Sequence, residues 1–429
     1  WDAESFEEAS GSSNGKSDVS KETREELYVP PVYTKSWYHT GAYIEAGVLS
    51  KQYEKEYYQK DGKAFRLPDS AFEPIPAEED AENYRQAWRA LKGRLLRSEI
   101  YAADQKPESD HPYTVEETNY RVKQYQPLQS KGYAVFYVHE NEALTYDYER
   151  NPDDPRMQHS FTLEVDDYGN VLNSCTVYYP RRLSPAAPAS ANPADRIYDE
   201  QMQLKATAEL DRFGNITTDD CWLIGVICEK MSLELGGLDL QGEAYFSFDR
   251  IKVQLNEALN HRIRYDEDFS QGSKQSRPFT WERYYYWDLE LDAALPLGAV
   301  NALALPHHIE QAVFTPQLID NVFGGKVSEE MLSGDGGYTF KDGYWWNGGL
   351  TQSYYQEGFY QPWKTEGPGS GITALDYDKY WLCPVKITQF ITGASSNIST
   401  AEIDYQTLQP KQITDINKNI AQALFDPLG

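Results

Sequence analysis

Asp376 and Asp378, and likewise Asp153 and Asp154, are carboxylate pairs from which the acid and the base or nucleophile of glycoside cleavage could be drawn. That chemistry is set by the spatial separation of the carboxyl groups, and spacing along the chain does not fix it. Asp415-Ile-Asn417-Lys-Asn419 supplies the first ligands of a calcium loop, with Asp426 at the twelfth position. Ile420 stands where the sharp turn needs glycine, however, and an aspartate replaces the bidentate glutamate; a hydrogen-bonded turn explains the same residues. His307 and His308 are adjacent, not at the i, i+2 or i, i+4 spacing of a metal pair, and read as loop or strand-end histidines. GSSNGKS (Gly11 to Ser17) is one residue short of a phosphate loop and also matches G-x-S-x-G. Either motif must follow a buried strand and open a helix, whereas the flanks here are acidic and polar. Cys175, Cys221, Cys228 and Cys383 are too few and too scattered for a disulfide framework or a zinc site. These residues predict no catalytic group, no metal and no cofactor.

The aromatic cluster Tyr344, Trp345 and Trp346, with Trp363 and Trp381, could stack on sugar rings or cover one face of a thin sheet. Packing is the preferred reading, with an extracellular carbohydrate-binding protein or a glycosidase as the alternatives. With 33 Tyr, 16 Phe and 10 Trp among 429 residues, beside abundant Gly and Pro, the composition favours short aromatic strands joined by tight turns. A net charge of −27 repels phosphates, which sets nucleic acid and anionic membrane surfaces aside. No apolar run is long enough to span a bilayer and no signal peptide is visible. The chain begins at Trp1 and stops on DPLG, and so reads as a piece of something longer.

Positioning these groups falls to the following elements. Residues 1–27, rich in Ser, Glu and Lys, read as a disordered leader. A first β-rich segment covers 28–182 and includes an amphipathic helix near 78–96, where Tyr84, Ala87, Trp88, Leu91 and Leu95 recur at helical spacing. Residues 183–195, Pro- and Ala-rich, read as a loop or linker, and a second β-rich segment fills 196–429. In that segment LKATAELDRFGNIT, AYFSFDRIKVQL and FTWERYYYWDLELD are read as strands, with short helices around 315–323 and 328–332.

One small word recurs. LEVDDYGNV aligns with ELDRFGNI, matching Asp166 with Asp211, Tyr168 with Phe213, Gly169 with Gly214 and Asn170 with Asn215. A looser third copy holds Asp415, Asn417 and Asn419, and a fourth begins at Asp426 and ends at Gly429. Asp and Asn at such positions bond to nearby amides while Gly or Asn accepts positive φ, so the word is expected to close hairpins. Repetition of it predicts strand laid beside strand in a long antiparallel sheet.

This strand, D-x-x-G-N turn, strand form resembles RHS/YD repeats. Further stretches resemble the insecticidal toxin complex (Tc) B component, the TcdB/TcaC-like proteins related to the amino-terminal part of SpvB: SWYHTGAY, LKGRLLRSEIYAAD, HPYTVEETNYRVKQYQP, LTYDYERNPDDPRMQHSFTLEVDDYGNVLNSCTVYYPRR, GGYTFKDGYWW and DYQTLQPKQITDINKNIAQALFDPLG. The resemblance implies a mainly β fold, an antiparallel RHS/YD-repeat sheet that curls into part of a hollow shell, with a few short surface helices. It implies a secreted, non-catalytic subunit. Its partners would be an RHS-repeat C component with an enclosed toxic C-terminal segment, and an A component met through a propeller not visible in these residues. The transferase of SpvB and the self-cleaving machinery of the C partner have no counterpart here, so no catalytic residue carries over.

Overall fold

The computed structural model describes residues 31–42, 53–73, 81–128, 132–182, 197–367, 369, 371–391 and 396–426. The expected leader at 1–27 with its GSSNGKS motif, the segment 183–195 and Gly429 lie outside these residues.

The chain forms two compact units that interleave: the first takes residues up to Leu163, Ser174–Thr207 and Leu238–Gln254, the second Glu164–Asn173, Ala208–Gly237 and Leu255 onward.

In the first unit β1 (Val32–Tyr38) pairs antiparallel with β3 (Leu95–Ala102), β3 with β4 (Thr114–Gln126), β4 with β5 (Val135–Asp147) and β5 with β6 (Arg156–Val165). The short β2 (Ala71–Glu73) runs parallel to β4, and β7 spans Val171–Tyr178. Helix α1 (Ala81–Arg89) presents Trp88 to Leu91, Tyr120 and Val122, with Tyr84 and Phe72 beside them. It is shorter than expected: Gly93 takes φ +80 and Leu95, part of the helical pattern, opens β3 instead. Inward charges at Arg97 and Glu99 alternate with outward residues, a strand period that overrides the helical one.

In the second unit β8 (Lys205–Thr217) and β9 (Trp222–Gly236) precede β10 (Gln275–Tyr286), β11 (Pro306–Phe314), β12 (Tyr338–Lys341) and β13 (Tyr344–Asn347), with the order β9-β10-β11-β13-β12. A seven-stranded antiparallel meander follows: β14 (Thr351–Tyr355), β15 (Gln361–Glu366), β16 (Ile372–Tyr377), β17 (Pro384–Phe390), β18 (Ser396–Asp404), β19 (Gln409–Thr414) and β20 (Ile420–Gln422), each paired with its neighbour in sequence. This is an open sheet, and the described fold as a whole is mainly antiparallel β with few helices.

The expected strand AYFSFDRIKVQL is instead, from Phe248 on, part of helix α2 (Phe248–Leu259). Ile251, Leu255 and Ala258 are all but fully buried, and their 4-then-3 spacing is a helical stripe. The helix expected at 315–323 forms as α3 (Pro316–Phe323), capped by Thr315, whose Oγ1 accepts from Leu318 N at 3.1 Å, and closed by Gly324 in the left-handed region. Around 328–332 the chain makes a π-type turn at Met331–Asp335.

Candidate functional site

The repeated word makes its turn at Asp166. Oδ1 accepts the amides of Tyr168 and Asn170, each at 2.9 Å; Oδ2 accepts Asn170 Nδ2 at 2.9 Å and Asn215 Nδ2 at 3.1 Å. Gly169 supplies φ +92, and Asp166 N donates to Asn170 O. Burial pushes the Asp166 carboxyl up, but these donors outweigh it and hold it below the ordinary range. Asp415 repeats the geometry between β19 and β20: Oδ1 accepts Asn417 N at 2.8 Å and Asn419 N at 2.7 Å, Oδ2 accepts Asn419 Nδ2 at 2.8 Å, and Lys418 takes φ +67 in the glycine's place. Both oxygens are thus engaged, and no group of three or more metal-ligating side chains occurs among the described residues.

The second copy does not turn. Asp211, Phe213, Gly214 and Asn215 lie within β8, and the hairpin closes further on, where Thr218 and Cys221 exchange backbone bonds. Gly214 is kept for close packing: a Cβ there would meet Val300 at 2.7 Å. Asn215 instead braces the Asp166 turn and accepts Gly225 N at 2.8 Å. Asp211, without such donors, has its carboxyl pushed up by burial. Asp426 is the last described residue, so the fourth copy is not followed to Gly429. One turn escaped the sequence: Asp378 accepts Tyr380 N at 3.1 Å and Leu382 N at 2.9 Å, with Trp381 at φ +60. DKYWL lacks the Gly-Asn that marks the word.

Asp376 binds Lys386 at 2.8 Å and Asp378 is used by its turn. Asp154 is buried against Arg181 at 2.6 Å, while Asp153 is exposed. His307 and His308 lie in β11, their Nδ1 atoms 2.7 Å apart, and pack on Trp287 and Tyr285. Beside them Glu310 is held at about 2: burial alone would raise it, but bonds from His308, Lys341 and Tyr285 prevail. All four cysteines are free.

Tyr344, Trp345 and Trp346 are 7, 6 and 0% exposed, so they offer no ring face to a sugar. Trp346 is packed edge-on to Trp281 at 5.0 Å, with the Arg283 guanidinium 4.3 Å from its ring centre, and Arg283 is in turn bonded to Glu229 at 3.1 Å and Asp342 at 2.7 Å. Trp363 and Trp381 flank Tyr355 at 5.3 and 4.9 Å.

The strongest concentration of buried charge went unread in the sequence. On β3 and β4, Arg97 stands directly opposite Glu117. Arg97 Nε donates to Glu99 Oε1 at 2.6 Å and Nη1 to Glu117 Oε1, while Arg66 Nη1 reaches the same Glu117 oxygen at 2.5 Å. Tyr58 N and Tyr101 OH complete Glu99; Leu67 N completes Glu117. Burial raises Glu117, against the pull of Arg66 and the Leu67 amide. The tyrosine hydroxyl of Tyr101 is raised by burial and then by Glu99. Arg66, Arg97 and Glu117 line a cavity of about 300 Å³ with His39, Ser70 and Trp88. Glu99 is fully enclosed and is not part of the cavity wall. A single carboxylate shared by two guanidiniums cannot serve as an acid–nucleophile pair. The signal was present in LLRSEIYA, where charges at i and i+2 share one face of a strand.

A further buried chain joins Asn119, Glu142, His159 and Tyr179. Glu142 accepts Asn119 Nδ2 at 3.0 Å and lies 3.2 Å from His159 Nε2, and His159 Nδ1 lies 3.3 Å from the Tyr179 hydroxyl. Burial pushes His159 down, with Glu142 opposing.

Comparison with known proteins gives these groups a context. Residues 86–226 match the family described as the insecticide toxin TcdB middle/C-terminal region. No curated protein matches the chain. Among solved structures it is similar to the complex TcdB2-TccC3-TEV, with TM-score 0.74 and 25% identity over 94% of this chain and 19% of that one. For TcdB2-TccC3-Cdc42 the TM-score is 0.71 at 25% identity, over 93% of this chain and 19% of that one. A Photorhabdus luminescens Tc holotoxin pore gives 0.72 at 25% identity with the same two coverages. The chain therefore spans about a fifth of the length of the solved chains it matches. The family match over residues 86–226 and these fold likenesses support a Tc toxin B component-like protein.

Proposed function

We propose that this chain is a non-catalytic, shell-forming segment of a Tc toxin B component, which with an RHS-repeat C partner encloses and protects the partner's toxic C-terminal segment before its delivery outside the producing cell. The observation that carries the reading is the likeness to TcdB2-TccC3 complexes over 93–94% of the chain. Two features support a structural role. Buried charges are spent on each other, as in Arg97, Glu99, Glu117 and Arg66, and asparagine-braced turns of the Asp166 kind serve to lay strand beside strand. The mechanism is then physical: a continuous wall keeps an unfolded passenger from proteases and from aggregation.

The test is co-expression of the full-length B-type polypeptide with its RHS-type partner, followed by limited proteolysis of the purified complex. The partner's C-terminal segment is expected to stay bound and protease-resistant until the complex is denatured. Digestion of that segment as fast in the complex as alone, or failure to form a complex, overturns the proposal.

A further inference from the structure

Two of the aromatic rings that face solvent lie together at the tips of two hairpins of the second unit. Trp222, the first residue of β9, is 71% exposed, and Tyr168, in the Asp166 turn, is 41% exposed. Their rings meet edge to face at 6.3 Å and 85°, and the Tyr168 hydroxyl lies 3.4 Å from Thr217 Oγ1. Beneath them the tips are tied together. Asn215 donates to Asp166 and accepts Gly225 N, and Gly225, at φ +77, sits so close that a Cβ would come within 2.8 Å of Asn170 Oδ1. The ring pair is thus presented on a fixed base. Beside it the β8–β9 turn carries Asp219 and Asp220, both exposed, and Asp167 is exposed on the Asp166 turn. Among the described residues neither Asp219 nor Asp220 is paired with a lysine or arginine.

We propose that this tip docks a basic, extended polypeptide segment, with an arginine or lysine over the open face of Trp222 and its charge answered by Asp219 and Asp220. The indole face attracts cations through its quadrupole, most strongly of the three aromatic side chains. The carboxylates and the net charge of −27 add attraction for a basic partner and none for a neutral one. A neutral glycan could stack on the same ring but gains no ionic term from the carboxylates, which is why the charge complementarity favours the peptide. The inference is independent of the encapsulation proposal.

The experiment titrates the full-length polypeptide into a fluorescently labelled tetra-arginine amide, read by anisotropy, for wild type, Trp222→Ala and the double variant D219N/D220N. Trp222 is mostly solvated, so unchanged melting curves are expected for all three. Binding is expected to weaken about fivefold in Trp222→Ala, and in the double variant to weaken with a shallower salt dependence. A labelled tetra-aspartate peptide is expected not to bind. Absence of tetra-arginine binding to wild type, or equal affinity of the Trp222→Ala protein, overturns the inference. So does binding of maltopentaose or another neutral oligosaccharide that Trp222→Ala abolishes while leaving tetra-arginine binding unchanged; that result makes the tip a sugar platform.

Discussion

Replacing Arg97 by methionine removes a cation that both buried glutamates share. Arg97 is 2% exposed, Glu99 0% and Glu117 6%, so neither carboxylate can turn to water. Among the described residues Glu117 keeps Arg66 and the Leu67 amide, whereas Glu99 keeps only the Tyr58 amide and the Tyr101 hydroxyl. Breaking a buried pair from one side costs about 3–5 kcal/mol, because an uncompensated charge stays behind. Methionine nearly conserves the packing over Tyr57, 4.9 Å from the guanidinium, so little of that cost is a cavity. Because the chain has two units, whole-molecule unfolding need not be two-state, and native-state hydrogen exchange is the better assay. Amides of β3 and β4 that exchange by opening of this unit should speed up about 10²–10⁴-fold in Arg97→Met. Exchange within threefold of wild type at neutral pH refutes the claim that Arg97 compensates both glutamates.

Asp166→Ala should destabilise the second unit by about 1–2 kcal/mol through lost bonds to the turn amides, whereas Asp211→Asn, in the copy that does not turn, should be neutral or slightly stabilising at pH 7; urea unfolding of both variants checks the contrast. Trp346→Ala should cost about 3–5 kcal/mol as a fully buried ring is removed, with no change in polysaccharide binding; a variant that melts normally but loses sugar binding would reverse the packing assignment. His39, 4% exposed and pushed down to about 4 chiefly by burial, should make stability fall as pH drops from about 6.5 to 4, because there the unfolded state binds a proton the folded state refuses. Full development of that difference amounts to about 3 kcal/mol; a pH–stability profile of His39→Gln no flatter than wild type over this window contradicts it.

The amino-acid sequence by itself determined the class. Alternating aromatic and β-branched runs separated by turn residues leave little but antiparallel strands, and the bonds that Asp166 and Asp415 accept from their turn amides lie within five consecutive residues, which is why those turns were legible. The helix capped at Thr315 was equally legible, for the same reason. Tertiary structure decided what depends on register. Whether Asp211 to Asn215 turns or runs straight is settled by the next turn at Thr218 and by Val300 against Gly214, neither of which the word contains. AYFSFDRIKVQL satisfied a strand reading until Ala258, three residues beyond it, completed the buried helical stripe. The side of the sheet on which Trp346 is sealed and Trp222 left in water is likewise invisible in composition, because an aromatic in a strand has the same local preference on either face. Arg97 and Glu117 lie 20 residues apart and meet only because β3 and β4 pair in one register of many. A charge costly to bury is a poor prediction from local pattern, and it becomes affordable to the fold only when that register brings its partners within hydrogen-bond reach.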